Sequence, residues 1–309
     1  MSGTKKKSEP KKQHYVPQVY LEHFAVKKSE NASIIQVYSK KQQKAYVREI
    51  GDVAEEKHFY TIEKAENKYE WETFYSKKVE PMMGTLWRRI RAKCENALVM
   101  DGSIVLTNED RRELALSITY QLLRGKQARI WQEEKFAELL PSVIEQVKEK
   151  FPSRVDSIDQ HAITIQNDSS YFKSIAIDVN TNPQRVALYA NELLSHAFVV
   201  YRINGNAMFI TSDNPVMFVD SITHNARPFT NGMTEPRTLI YYPISPKLML
   251  CLYHPQFYFH ALSVMDNRLR ILDAKKESSF IQSCNRMQQQ QCYDYTFAPS
   301  REPLILVNI

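Results

Sequence analysis

The spacing of apolar residues changes near His196, and this change constrains the fold more than any other feature of the sequence. Before it, apolar residues recur every three or four positions, which is typical of amphipathic helices. After it come short apolar runs separated by Asn-Gly, Asp-Asn-Pro and Ser-Pro turns, which are typical of antiparallel strands. We therefore predict a helical middle over about 68–196 and a β-rich part over about 197–309.

Two further segments complete the predicted architecture. The runs SIIQVYSK, AYVREI and KHFYTIE precede Tyr69 and predict a small antiparallel β unit. One late helix is expected from Asp273 to about Gln291, followed by a closing strand near DYTFAP or LILVNI. The predicted fold class is α+β: a small N-terminal antiparallel β unit, a helical middle, and a C-terminal antiparallel sheet with a late helix, forming one domain over 13–309.

Local signals predict several helix starts. The segment VPQVYLEHFAV predicts a short first helix, in which Pro17 suits the first turn because its missing N–H would be unpaired there. Thr107 and Asp110 have the spacing of an N-cap and the third helical residue, so a helix should begin there. Another helix should open at Asn182-Pro183.

Positive charge is concentrated at the N-terminus. The chain has 309 residues and a net charge of +6, and its first twelve residues contain five lysines and one glutamate, which leaves the remainder nearly neutral. We interpret residues 1–12 as a basic disordered tail. A duplex-binding surface normally carries a larger basic excess, so nucleic acid would be contacted through this Lys-rich tail or a local patch.

The cysteines and the hydropathy pattern predict the cellular compartment of the protein. The four cysteines lie far apart without a C-x-x-C pair, which favours reduced core thiols over a zinc site or a disulfide framework: Cys94, Cys251, Cys284 and Cys292. No run of 18 apolar residues exists, and the Lys-rich N-terminus does not lead into the apolar core of a signal peptide. We expect a cytoplasmic protein with no membrane association.

Signatures of common enzyme classes are absent from the sequence: there is no G-x-S-x-G, no H-E-x-x-H, no phosphate-binding loop and no deaminase cysteine pair. The remaining candidates are polar residues at positions that packing alone would not select. The first is His14, at the junction between the tail and the first helix. A histidine there could act as a general base or bind a metal, or it could simply be a residue at the helix start that is capped by Gln18.

A second candidate is the segment Thr211-Ser212-Asp213-Asn214-Pro215-Val216 between two apolar runs. A carboxylate and an amide at a strand end could present a ligand or polarise a substrate. The alternative is a turn in which Asp213 and Asn214 bond their own backbone ahead of Pro215.

Further polar side chains occur on predicted helices. Asn285 and Arg286, followed by four glutamines, could bind a base edge or a phosphate, or could satisfy buried strands. Arg124 ends the ITYQLLRG helix and could meet a helix C-terminus or an anionic ligand. Glu72 and Glu80 lie on one side of a helix, where paired carboxylates could hold a divalent ion, although solvated charges are the simpler interpretation.

The chain resembles a bacterial family known as domain of unknown function 4238. The resemblance is carried, in order, by HYVPQVYLEHF, FYT, the Val79-Glu80 pair, LTNEDRRELALSITYQLLRG, TSDNPV, YPISPKLML and the late helix with Asn285. It spans nearly the whole chain and implies an intact fold and the location of the site, not a chemistry. The motif positions that it implies are His14, Pro17, Tyr20, Leu21, Asp213, Asn214, Pro215 and Asn285, of which the polar members are site candidates.

These residues support a nuclease-like hydrolase acting on nucleic acid, with a role in phage defence by analogy only. The candidate roles are catalytic for His14, Asp213, Asn214 and Asn285, substrate-binding for Gln18, Tyr20, Arg124 and Arg286, and metal-ligating for His14, Glu80 and Asp213. The cofactor is left open, with a divalent metal as one option. The alternatives are a non-catalytic nucleotide- or protein-binding module and a nucleotide-directed transferase, and an oligomer or a partner protein is also left open.

Overall fold

The computed structural model describes residues 12–29, 32–168, 170–226 and 232–305. Within them the chain is α+β, with a small N-terminal antiparallel sheet, a helical middle and C-terminal sheets with a late helix, as the sequence predicts. Residues 1–11 of the predicted basic tail lie outside the described residues.

Eleven α-helices occur in the described part of the chain, and most of them lie in the predicted middle. They are α1 (Gln18–Leu21), α2 (Glu70–Phe74), α3 (Glu80–Cys94), α4 (Asn108–Arg124), α5 (Lys126–Lys150), α6 (Val155–Asn167), α7 (Tyr171–Thr181), α8 (Pro183–Leu194), α9 (Phe259–Val264), α10 (Ser278–Gln291) and α11 (Glu302–Ile305). None of these helices is both long and apolar enough to cross a membrane.

The predicted helix starts at Thr107 and Asn182 are confirmed by their caps. The Thr107 hydroxyl accepts the backbone N–H of Asp110 at 3.1 Å, and the Asp110 carboxylate accepts the backbone N–H of Thr107 at 2.8 Å, which completes a capping box. The side chain of Asn182 caps α8 by accepting the backbone N–H groups of Gln184 and Arg185. Pro17 precedes the first residue of α1 as its N-cap.

Helices α2 and α3 are joined by a π-helical segment, Tyr75–Val79. Pro81 lies two residues after this segment and has no backbone N–H to donate, which limits regular α-helical bonding there. A π turn changes the face on which the following residues lie, and such turns occur frequently at functional sites. This one lies between Glu72 and Glu80.

The strands form three sheets. They are β1 (Lys12–His14), β2 (Val26–Ser29), β3 (Ala32–Ser39), β4 (Lys44–Glu49), β5 (Glu55–Lys57), β6 (Ala197–Asn204), β7 (Thr211–Ser212), β8 (Met217–Asp220), β9 (Thr238–Ser245), β10 (Leu248–Tyr253), β11 (Arg268–Asp273) and β12 (Tyr295–Ala298). The sheet of the β-rich part has the order β11-β6-β10-β9-β8, and its pairs are antiparallel except that β11 runs parallel to β6.

The other two sheets involve the N-terminal strands. β1 pairs with β5 in a two-stranded ribbon, and a five-stranded sheet has the order β2-β3-β12-β7, with β4 on the remaining edge of β3. The predicted closing strand at DYTFAP is therefore present as β12. It joins the N-terminal sheet by pairing with β3 and β7 instead of extending the sheet of the β-rich part.

The strand expected at KHFYTIE is wrong except for its first residue, Lys57, which is the last residue of β5. His58 has a φ of 57°, so the chain turns there, and Phe59 and Tyr60 are buried in the turn. The main hydrophobic core joins these aromatic side chains to residues of α1, α3, α4 and the central strands β9 and β10. At its centre the Tyr20 and Tyr242 rings stack with their centroids 5.3 Å apart.

Candidate functional site

The candidate site is built around His14, the last residue of β1. Strand pairing places His14 opposite Glu55, and the Gln18 amide nitrogen lies 3.3 Å from Nε2 and 3.4 Å from Nδ1 of the imidazole. The ring is partly buried. Burial lowers the pKa of His14 despite the opposing effects of Glu80 and Glu55 and a hydrogen bond with the backbone of Gly51. The imidazole is therefore neutral at pH 7 and able to accept a proton.

Arg124, the last residue of α4, connects His14 to the helical middle. Its side chain is 1% exposed, and Nη2 donates to the backbone carbonyl of His14 at 2.5 Å and to the Glu80 carboxylate at 2.9 Å. Nε donates to the Tyr60 hydroxyl at 3.1 Å, and the guanidinium lies 4.4 Å from the ring centroid of Tyr75. Nη1 is buried and has no hydrogen-bond partner among the described residues.

Glu72 is the second titratable group of this cluster. Burial raises its pKa to about 7, and the nearby Glu80 carboxylate adds to the effect while Arg124 opposes it. Glu72 therefore retains its proton in part of the molecules near neutral pH. His14 and Glu72 both interact electrostatically with Arg124 and Glu80, so a neutral base and a carboxyl that can donate a proton lie on either side of one ion pair, with no hydrogen bond between them among the described residues.

Two contacts of this cluster involve residues that the sequence did not single out, Tyr60 and Tyr75. Burial raises the pKa of Tyr60 to about 12, so its hydroxyl stays protonated, and that hydroxyl lies 3.3 Å from the His14 carbonyl. Tyr75 supplies the aromatic face beneath Arg124. Both lie in aromatic stretches that look like ordinary core, and only the spacing of Tyr75 three residues after Glu72 offered a signal.

Asp213 lies in a different environment. Its buried carboxylate accepts the backbone N–H groups of Tyr293, Asp294 and Tyr295 at 2.8–2.9 Å, and so fixes the turn that leads into β12. Burial raises the pKa of Asp213 to about 6, against the effect of these three donors. Among the described residues, no hydrogen bond or ion pair joins Asp213 to His14.

Asn214 and Asn285 belong to the same region as Asp213. The Asn214 amide donates to Gln127 Oε1 at 2.9 Å and to the Gln291 carbonyl at 3.3 Å. The Asn285 side chain donates to the Met208 carbonyl at 2.9 Å and accepts the Ile210 N–H at 3.0 Å, which is the strand-satisfying role left open for the amides of α10. These residues attach α10 to the segment that contains β7.

The remaining predicted substrate-binding residues differ in exposure. The Tyr20 hydroxyl is fully buried and bonds to Thr211 Oγ1 at 2.6 Å and to the Pro243 carbonyl at 2.7 Å. Arg286 is exposed on α10. Four predicted site residues, His14, Gln18, Glu80 and Arg124, are thus brought together, while Asp213, Asn214 and Asn285 form a separate group.

The candidate metal ligands are divided between these two groups. His14 and Glu80 are near each other, whereas the Asp213 oxygens are occupied by backbone donors. Within the described ranges, no group of three His, Cys, Asp or Glu side chains has the arrangement that would hold a metal ion.

The comparisons with known proteins bear on the family alone. No curated protein and no solved structure matches the chain. A family model described as a protein of unknown function, DUF4238, matches residues 12–302. The match covers the His14 cluster, the Asp213 turn and all three sheets, and the chain therefore belongs to the DUF4238 family.

Proposed function

We propose that this protein is a nuclease-like hydrolase that cleaves RNA by acid–base chemistry at the cluster of His14, Glu72, Glu80 and Arg124. The observation that carries the proposal is the pair of opposite pKa shifts. The pKa of His14 is lowered, which keeps a base available, and the pKa of Glu72 is raised to about 7, which keeps an acid available. Pairs of titratable groups with different environments are typical of general acid–base catalysis.

A groove beside His14 offers two cationic side chains that phosphate groups of a substrate would contact. The groove has a volume of about 550 Å³, and Gln18 and Gly51, which both contact the imidazole, form part of its wall. Lys27 and Arg88 line it and make no ion pair with a described residue. Glu22 and Glu49 also line it, and Arg91 is paired with Glu95, so the two remaining cations are balanced by two carboxylates and only the positions of Lys27 and Arg88 favour a phosphate.

The reaction that fits these groups begins with the 2′-hydroxyl of RNA. His14 removes the proton from this hydroxyl, and the 2′-oxygen attacks the adjacent phosphorus. The bond from phosphorus to the 5′-oxygen breaks, and Glu72 gives its proton to the leaving 5′-oxygen. The products are a 2′,3′-cyclic phosphate and a 5′-hydroxyl. Water then opens the cyclic phosphate, with imidazolium as the acid and the Glu72 carboxylate as the base.

Arg124 and Glu80 act in this proposal as positioning residues. Arg124 fixes the backbone of His14 and is itself held by Glu80 and Tyr60. Because Arg124 is almost fully buried, its role is to keep the imidazole and the helix that carries Glu72 in one arrangement.

The test is cleavage of single-stranded RNA and of the DNA of the same sequence by the full chain, with chelator or with magnesium. His14→Ala is paired with His161→Ala, an exposed histidine on α6, and Glu72→Gln is paired with Glu70→Gln, an exposed glutamate on the same helix. We expect RNA cleavage in chelator, no DNA cleavage, and a loss of roughly 100-fold or more in each of the two site variants. The two control variants, His161→Ala and Glu70→Gln, should retain full cleavage.

Three results would contradict the proposal. They are intact RNA under every condition, cleavage that requires added metal, and cleavage that is unchanged by His14→Ala and Glu72→Gln. Intact RNA would favour the binding-module alternative, for which the same groove would hold an anionic ligand without reacting.

We also propose that the protein works in the cytoplasm, since its four cysteines are all buried free thiols, as expected in a reducing compartment. The role in phage defence and the nucleic-acid contact through the Lys-rich tail stay predictions.

A further inference from the structure

A second cavity lies apart from the His14 cluster. It has a volume of about 470 Å³ and lies where α4 ends, between the start of α5, α8 and β8. None of His14, Glu72, Glu80 and Arg124 lines it. Its size is within the range of small-molecule sites, and its wall is mostly apolar with a few polar groups, which is the usual composition of such sites.

Gln132, which lines the cavity, carries a buried hydrogen-bond acceptor with no donor among the described residues. Gln132 on α5 is 6% exposed, and its Nε2 donates to Asn180 Oδ1 at 2.8 Å, which fixes the orientation of the amide. Its Oε1 is buried and accepts no hydrogen bond from the described residues. An unpaired buried acceptor is costly, and a ligand with an N–H group would remove that cost.

The neighbouring side chains define the shape and charge of the ligand. Trp131, Tyr189 and Phe218 line the cavity, and Trp131 is 38% exposed, so a flat ring has aromatic surfaces to stack on. Arg185 lines the same cavity, donates to the Tyr189 hydroxyl at 3.1 Å and makes no ion pair with a described residue. Its charge is available for an anionic group.

We propose that this cavity binds a nucleotide. The base stacks on Trp131 and donates an N–H to Gln132 Oε1, and Arg185 binds the phosphate. Asn214 lines the same cavity with an amide fixed by Gln127 and Gln291, and it supplies a second polar contact for the base edge. This inference does not depend on cleavage at the His14 cluster.

The experiment is calorimetric titration of the full chain with AMP, GMP, CMP and UMP, and separately with adenosine and with inorganic phosphate. We expect at least one mononucleotide to bind with a Kd below about 1 mM, and more tightly than adenosine or phosphate. Trp131→Ala should weaken that binding roughly tenfold, because base stacking is lost. Arg185→Ala should weaken the binding of the nucleotide and leave the binding of adenosine unchanged.

Each variant has a matched control. Leu139→Ala is an exposed truncation on α5, and Arg154→Ala removes an exposed arginine outside the cavity. Both should bind like the unchanged chain. Gln132→Met, which keeps the volume but removes the acceptor, should also bind more weakly, and if it does not fold, Trp131→Ala still decides.

The proposal is wrong if no mononucleotide binds, if phosphate alone binds as tightly as the nucleotides, or if Trp131→Ala and Arg185→Ala bind like their controls. Repeating the titration with His14→Ala separates this site from the proposed cleavage site, since nucleotide binding should be unaffected there.

Discussion

Arg124 donates to the backbone carbonyl of His14 at 2.5 Å, although 110 residues separate them in the chain. This bond joins the end of α4 to the end of β1, and the same guanidinium nitrogen binds the Glu80 carboxylate. A single buried cation therefore sets the relative positions of three parts of the candidate site: the end of β1, the end of α4 and the start of α3.

Replacing Arg124 with Met should lower the free energy of unfolding by about 2–4 kcal/mol, because the His14 carbonyl and the Glu80 carboxylate lose their donor. Glu80→Gln alone should lower the free energy of unfolding by less, since the Glu80 side chain is 23% exposed. In a urea-denaturation double-mutant cycle, the two changes should be coupled by roughly 1–3 kcal/mol. Additive effects would show that the ion pair does not act as a unit.

The raised pKa of Glu72 predicts a pH dependence of stability. The folded pKa of about 7 lies above the ordinary value of about 4.3, so the native state binds this proton more tightly than the unfolded state. The unfolding free energy should therefore fall as pH rises from about 4.3 to about 7, by on the order of 1–3 kcal/mol, and then level off. Glu72→Gln should reduce this fall.

The measurement is chemical denaturation at pH 5 and pH 8, with Glu70→Gln as the control. Asp213, whose pKa is also raised, is present in all three proteins, so its contribution cancels in the comparison. If the unfolding free energy falls equally between pH 5 and pH 8 in Glu72→Gln and in Glu70→Gln, Glu72 does not have a raised pKa.

Asp213→Asn should act mainly on stability. The carboxylate accepts three backbone N–H groups, and an amide offers only one oxygen to them. We expect a loss of about 2–4 kcal/mol at pH 7, seen as a lower Tm. RNA cleavage per folded molecule should be unchanged, whereas loss of cleavage at an unchanged Tm would restore Asp213 as a catalytic candidate.

Asn285 and Arg286 are neighbours on α10, and replacing them should affect stability to different extents. Asn285→Ala removes both side-chain bonds to the chain at Met208 and Ile210, and should cost about 1–3 kcal/mol in thermal or urea unfolding. Arg286→Ala removes an exposed side chain and should change stability by less than about 0.5 kcal/mol. Similar losses in both variants would contradict the role assigned to Asn285.

The features predicted from the sequence are those set by neighbouring residues. The capping box of Thr107 and Asp110 was predictable because both partners lie within one helical turn. The contact between Gln18 and His14 was predicted for the same reason, since four residues separate them.

The features that were missed depend on distant partners. β11 was missed although its arginines alternate with apolar residues as in a half-buried strand, and its parallel place beside β6 is set by the fold. The grouping of His14 with Arg124 and Glu80 needs the strand ribbon and the π turn together, and neither has a local signature. Asp213 was expected to bond its own turn, but its carboxylate instead binds residues 293–295.

The position of β12 has a consequence for how the protein forms during translation. β12 lies between β3 and β7, so the N-terminal sheet is completed only after nearly the whole chain has left the ribosome. Until then one edge of β3 stays open to pairing with other strands. Truncated chains that stop before Tyr295 should therefore aggregate, even though they contain every residue of the His14 cluster.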